Sequence, residues 1–332
     1  MVFRKRRFKA SYSDDVALVV TVLRHAESEN NARADKGGPA DKEKESSTGS
    51  SCIDRKADPS LTETGTKQAV LAGRRIADEF GEAVAAAAAA AGGGGGEAVV
   101  PSLQVWTSPM LRACQTAQAV ANAFGPRRPP DGGAPPAVFV RKELMEVHGP
   151  LCAENGKGTP GGKSQKVYSS AAKSTRSWCD LISQHSGFQR WPPSSSSSSS
   201  SSSALSDSSS LPAAPVDGAG GSDYGPWCGT DGVETEEAAT VRAEDLFREL
   251  KTSAQSHPEG QPSSHIVLVT HAIFIGCFTR AVFGHPFSQY NAGVTKLKIT
   301  RGGNVQCEFA NSVLHLAGDK FILPKGVGGG LL

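Results

Sequence analysis

Short, unbroken apolar runs alternate along this chain with longer segments in which apolar residues return every three or four positions. The runs VALVVTVL at Val16–Leu23, SLQVWT at Ser102–Thr107, AVFV at Ala137–Val140 and HIVLVT at His265–Thr270 are rich in β-branched residues. They lack the every-other-residue polarity of a half-exposed strand, which predicts strands covered on both faces. Between them, LTETGTKQAVLAGRRIADEF at Leu61–Phe80 repeats small and apolar residues at Ala69, Gly73, Ile76, Ala77 and Phe80, with Thr62 as N-cap. SPMLRACQTAQAVANAF at Ser108–Phe124 predicts a second helix, with Ser108 as N-cap, Pro109 at the first helical position and Ala113, Ala117, Val120 and Phe124 facing inward. A third is expected over about Glu234–Lys251, and AIFIGCFTRAVF at Ala272–Phe283 is apolar nearly all round, as a buried helix is. Strands alternating with helices imply right-handed crossovers and a mostly parallel sheet. VTKLKITRGGNVQCEF at Val294–Phe309 predicts instead a hairpin around Gly302-Gly303 and hence an antiparallel edge.

Composition changes this picture by subtraction. Seven alanines at Ala85–Ala91, five glycines at Gly92–Gly96 and ten serines at Ser194–Ser203 offer nothing specific to bury and are expected to be linkers or disordered insertions. The 332-residue chain therefore reduces to one α/β domain over 15–320, interrupted at about 33–56, 83–98, 125–136, 153–175 and 192–223. A basic tail at 1–14 and a flexible tail at 321–332 flank it.

A net charge of +2 gives no electrostatic case for nucleic acid as a partner. The basic run MVFRKRRFK followed by Val16–Leu23 imitates a signal peptide, but Asp14 and Asp15 interrupt it and no small-residue cleavage site follows. No stretch reaches the roughly 20 apolar residues of a membrane span. Seven scattered cysteines, none in a C-x-x-C pair, suggest neither a disulfide framework nor a zinc site. The expectation is an intracellular, cytoplasmic protein, with a nuclear or organellar destination left open by the basic N-terminus. Its oligomeric state is open.

In an open α/β sheet the ligand sits beyond the carboxyl ends of the strands. Here those ends carry Arg24, His25 and Glu27, then Ser108 and Arg112, then Glu143, Glu146 and His148, and finally His271. Guanidinium groups hold phosphate oxygens in planar pairs and stay charged. An arginine in the first turn of a helix opposes the dipole unless an anion joins it. A neutral imidazole can attack phosphorus, a second, protonated one can stabilise the equatorial oxygens, and a carboxyl of raised pKa can protonate a leaving alcohol. No metal is required by that chemistry. Glu27 and Asp58 are as readily local hydrogen-bonding groups as catalytic ones, His148 reads as a substrate-loop or structural residue, and Cys114 as core.

The order of these blocks resembles the histidine phosphatase superfamily, also called phosphoglycerate-mutase-like. Its Arg-His-Gly-Glu-Ser signature reads here Arg24-His25-Ala26-Glu27-Ser28, with Asn31 following. DPSLTETGTKQA at Asp58–Ala69, SPMLRACQTA at Ser108–Ala117, ELMEVHG at Glu143–Gly149 and LVTHAIFI at Leu268–Ile275 resemble the later blocks. The resemblance implies a three-layer α/β/α sandwich with a mostly parallel sheet and an antiparallel edge. It also implies a phosphatase of the histidine acid phosphatase kind that needs no cofactor or metal and acts on a small phosphorylated molecule. His25 would carry the phosphoryl group, Arg24, Arg112 and His271 would complete the phosphate pocket, and Glu146, chosen over Glu143, would be the proton donor. Asn31 and Ser28 would contact the phosphate or the substrate.

One departure stands out: Ala26 replaces the family's glycine, which is tolerable if the backbone there avoids positive φ. A cofactor-dependent mutase is an alternative, disfavoured because VHGPLCAENGKGTPGG follows the acid in place of a compact basic cap. A non-catalytic module binding phosphorylated ligands is another, disfavoured because His25 and Glu146 are both present. GKGTPGGKS at Gly156–Ser164 imitates a nucleotide-binding loop but has Lys157 where glycine is needed; as part of a lid, Lys157 or Lys163 could reach substrate anions.

Overall fold

The computed structural model describes residues 15–36, 58–91, 99–125, 136–147, 188–190, 234–318 and 323. The expected tails, apart from Leu323, the insertions at 153–175 and 192–223, His148 and the Lys157–Lys163 segment lie outside them.

Seven strands form one sheet, with β1 at Val16–Arg24, β2 at Leu103–Thr107, β3 at Ala137–Val140, β4 at Phe188–Arg190, β5 at Ser264–Thr270, β6 at Val294–Thr300 and β7 at Val305–Ser312. Their order is β4-β3-β2-β5-β1-β6-β7. From β4 across to β1 every neighbour is parallel, and β6 and β7 are antiparallel to their neighbours, so the hairpin and antiparallel edge expected from the tail are present. The helices are α1 at Glu29–Lys36, α2 at Glu63–Ala91, α3 at Leu111–Ala123, α4 at Glu236–Gln255 and α5 at Ala272–Phe283.

The strands read as covered on both faces are so. Leu18, Val20, Val22, Trp106 and Leu268 join Ala243, Leu246 and Leu250 of α4 and Phe274 and Phe278 of α5 in one core. Leu23, Val105, Val138, Val267 and Val269 point the other way, onto Ala72 and Ile76 of α2 and Ala113, Ala117 and Val120 of α3. Two helical layers on one sheet make the three-layer α/β/α sandwich, as expected from the resemblance.

Three expectations need correction. The alanine tract is not a linker: α2 runs through it to Ala91, because alanine carries the highest helix propensity and α2 is already nucleated by its packed first turns. The segment set aside from residue 33 likewise begins in α1, which ends at Lys36. Ser108 does not cap α3. The N-cap residue is Met110, and the first free amide, Leu111 N–H, is taken by both oxygens of Asp58 at 3.0 and 3.1 Å, from a segment far off in sequence. The short strand β4 went unforeseen, since three residues in a polar stretch carry no periodic signal.

The strand order places the site. β5 enters between β1 and β2, with Arg24 level with Thr270 and Thr107 level with Val269. The residues just past these pairs, His25, His271 and Ser108, therefore emerge side by side. Their backbone continues the ladder, His25 N–H donating to Thr270 O at 2.9 Å and Ser108 N–H to Val269 O at 3.0 Å.

Candidate active site

His25 sits at the centre and is buried. Its Nδ1 lies 2.7 Å from Ala26 O, which can only accept, and its Nε2 lies 3.2 Å from Arg112 Nε, which can only donate. Nδ1 therefore carries the proton and Nε2 the lone pair. Burial, then the charges of Arg112 and Arg24, hold this imidazole well below its ordinary pKa, so it is neutral.

The turn after His25 is braced from three directions. Ala26 N–H donates to Thr116 Oγ1 of α3 at 3.1 Å, Glu27 N–H to Gln68 Oε1 of α2 at 2.9 Å, and Glu27 Oε1 accepts the Thr62 hydroxyl at 2.6 Å. Thr62 also caps α2 by accepting Gly65 N–H at 2.9 Å, as its position predicts. Gly65 is where α2 meets this turn: a Cβ there would lie 1.9 Å from Glu27 O, so only glycine allows the approach. Ala26, in place of the family's glycine, is wholly buried against Ala69, Ala292, Val313 and Leu316. It is not among the positive-φ residues of the described chain, so its methyl is accommodated without backbone strain.

Arg112, buried in the first turn of α3, has its anion in Asp58, whose Oδ1 is 3.6 Å from Nη1. Burial raises the Asp58 carboxyl to about 6 despite the opposing pull of Arg112 and Leu111 N–H. Arg24 projects from the end of β1, donating from Nη1 to Gln289 O at 2.7 Å, while its buried Nε has no hydrogen-bond partner among the described residues.

His271 is wholly buried at the N-cap of α5, its ring centroid 5.1 Å from that of His25. Burial, with Arg112 next, lowers its pKa well below the ordinary value. It is thus a neutral donor or acceptor here, where the sequence suggested a protonated one. Nε2 lies 2.8 Å from Ser108 Oγ, and Nδ1 is buried without a partner among the described residues.

Glu146 is buried, and its Oε1 accepts Val147 N–H at 3.0 Å and Phe274 N–H, in the first turn of α5, at 3.1 Å. Burial raises its carboxyl above the ordinary value, against the opposing charges of Arg112 and Arg24 and the two amides. Glu143, by contrast, turns outward to Arg141 at 3.3 Å. The loop between them is held by Thr270 Oγ1 donating to Leu144 O at 2.6 Å and by Arg242 Nη1 donating to Glu143 O at 2.6 Å and Met145 O at 3.1 Å.

Ser28 and Asn31 are present beside the site but engage each other: Asn31 Oδ1 accepts Ser28 N–H at 3.0 Å, Ser28 Oγ–H at 2.8 Å and Asn291 Nδ2–H at 3.2 Å. The loop Gln289–Gly293 was missed from sequence. Asn291 Nδ2 also donates to His25 O at 3.1 Å, and Gln289 Nε2 donates to Val22 O at 3.1 Å and to Gly293 O. A polar SQYNAG run between a helix and the first strand of the antiparallel hairpin is the one signal that could have drawn attention to it.

The fold brings Arg24, Arg112, His25, His271 and Glu146 to the carboxyl ends of the strands of one α/β sheet. Comparison with known proteins agrees: the model of the histidine phosphatase superfamily (branch 1) matches residues 20–148, which bears out the recognition made from the sequence blocks. That span holds the site residues from Arg24 to Glu146, while His271 lies beyond it. No curated protein matches. Among solved structures, a mycobacterial glucosyl-3-phosphoglycerate phosphatase is 18% identical, with 89% of this chain and 98% of that chain covered and a TM-score of 0.43. The Entamoeba histolytica phosphoserine phosphatase is 17% identical, with 90% and 99% covered and a TM-score of 0.41. Bacillus stearothermophilus YhfR is 16% identical, with 90% and 100% covered and a TM-score of 0.43. No helix among the described residues is long and apolar enough to cross a membrane.

Proposed function

We propose that the chain is a metal-independent phosphomonoesterase that turns over through a phosphohistidine on His25, with a small phosphorylated molecule as substrate. The observation that carries this reading is the state of His25: a neutral ring whose Nδ1–H is tied to Ala26 O, leaving the Nε2 lone pair facing Arg112. An imidazole fixed in one tautomer with two arginines beside it is a nucleophile set opposite an anionic electrophile.

In the first step the Nε2 lone pair forms the N–P bond as the ester P–O bond breaks, and the Glu146 carboxyl gives its proton to the departing alcohol oxygen. In the second, the Glu146 carboxylate takes a proton from water, whose oxygen bonds to phosphorus as the N–P bond breaks, releasing phosphate and restoring both groups. Arg112 and Arg24, with its unpartnered Nε, serve the phosphoryl oxygens in both steps. Ser28 and Asn31 hold the mouth of the His25 turn, where a substrate's remainder would lie.

The test is phosphate release from p-nitrophenyl phosphate in EDTA by wild type and His25→Ala. Turnover in EDTA that falls by roughly 10⁴-fold or more in the variant is expected. Turnover that survives the substitution would remove His25 from the mechanism.

A further inference from the structure

Ser108 is the residue whose chemistry is left unused. It is wholly buried at the end of β2, it does not cap α3, and among the described residues its hydroxyl has two hydrogen-bonding neighbours: Met110 N–H, 3.3 Å away, and His271 Nε2, 2.8 Å away. Met110 N–H can only donate, so it occupies an acceptor lone pair of Oγ. The hydroxyl hydrogen still needs an acceptor, because an unpaired buried hydroxyl costs about 1–3 kcal/mol. His271 Nε2 is the acceptor in reach. If Nε2 carried the proton instead, the Ser108 hydrogen and the His271 Nδ1 lone pair would both be buried and unmatched.

We infer that Ser108 is a positioning residue that locks His271 as the Nδ1–H tautomer, so that the site presents an unengaged donor from His271 beside the His25 ring, whose Nε2 lone pair faces Arg112. The buried Nδ1, without a partner among the described residues and on a ring whose centroid lies 5.1 Å from that of His25, is that donor, and an oxygen of a bound phosphoryl group is the acceptor that would complete it. The inference deepens the phosphatase reading and rests on it only for what the donor does; the tautomer is a property of the unliganded protein.

The experiment is a long-range ¹H–¹⁵N correlation spectrum of the ¹⁵N-labelled full chain at neutral pH, with His271 assigned by loss of its signals in His271→Gln. Wild type is expected to show a protonated Nδ1 and a bare Nε2 at His271, and the Nδ1 signal is expected to move when inorganic phosphate is added. In Ser108→Ala the two tautomers should mix, with kcat falling roughly tenfold, the size of one hydrogen bond. A protonated Nε2 in wild type overturns the inference without any variant, and so does an unmixed Nδ1–H tautomer in Ser108→Ala. Absence of turnover with the expected tautomer in place would sink the phosphatase reading and leave the lock standing.

Discussion

Two histidines leave adjacent parallel strands at the same level, one residue past β1 and one past β5, and their surroundings are opposite. His25 has both nitrogens engaged, by a carbonyl on one side and a guanidinium on the other. His271 has one nitrogen engaged and one buried without a partner among the described residues. The turn after His25 is tied to α2 and α3, and the turn at His271 opens α5, whose Phe274 N–H holds Glu146. In the proposed mechanism the same residue type at the same height would serve two ends of a reaction: the β1 end an electron pair, and the β5 end a hydrogen-bond donor on His271 and a proton on the acid docked beside it. The difference comes from neighbours, since both rings are neutral for the same reason, burial near arginine.

The largest way to break that division is at the proton side. Glu146→Gln keeps an acceptor for Val147 and Phe274 N–H but cannot give a proton. With an alkyl phosphate, kcat should fall by about 10²–10⁴-fold, and with p-nitrophenyl phosphate, whose leaving group needs little protonation, the loss should be smaller. The pH profile follows from the sign of the shift. A carboxyl raised above its ordinary value stays protonated into higher pH, so wild-type activity on the alkyl ester should fall as pH rises through that raised value. The variant should lack this descending limb. Equal losses on both esters would show that Glu146 holds the fold of the loop and moves no proton.

A smaller effect is expected on the lone-pair side, through Asp58. Asp58→Asn keeps an acceptor for Leu111 N–H and removes the charge beside Arg112. Because burial raises the carboxyl to about 6, Asp58 is an anion above that pH and neutral below it. Its charge therefore offsets Arg112 only on the alkaline side. Inorganic phosphate should inhibit the variant roughly 3–10-fold more tightly than wild type above pH 7, with the two converging below 6; phosphate's own ionisation cancels in the ratio. Weaker inhibition of the variant would mean that Asp58 aims Arg112 more than it neutralises it.

The contrast also shows what a sequence can disclose. Arg24, His25 and His271 were legible because each directly follows a run apolar enough to be a buried strand, and a charge in that place has to face the strand end. Arg112 was legible from its place in the first turn of a helix. Its counter-ion was not, because Asp58 reaches Leu111 N–H only after α2 and α3 pack together. Gln289 and Asn291 were hidden for the same reason: their amides matter because the carbonyls of Val22 and His25 are left open at the end of β1. The alanine tract misled in the other direction, since its composition resembles filler while its intrinsic preference extends a helix already begun.

The smallest predicted effect concerns Ala26, where the His25 turn departs from the signature it resembles. Ala26 has its methyl wholly buried and its backbone outside the positive-φ region, so restoring glycine would remove packing and add chain freedom without relieving any strain. Ala26→Gly should cost about 1–2 kcal/mol, from one buried methyl and the entropy of glycine, and lower the thermal midpoint by roughly 2–6 °C. The bond from residue 26 N–H to Thr116 Oγ1 survives the change, so kcat should stay within about twofold of wild type. A tenfold rise in kcat at unchanged stability would show that the methyl restrains the nucleophile, and that the β1 end, firmly held as it is, has to move for its lone pair to reach phosphorus.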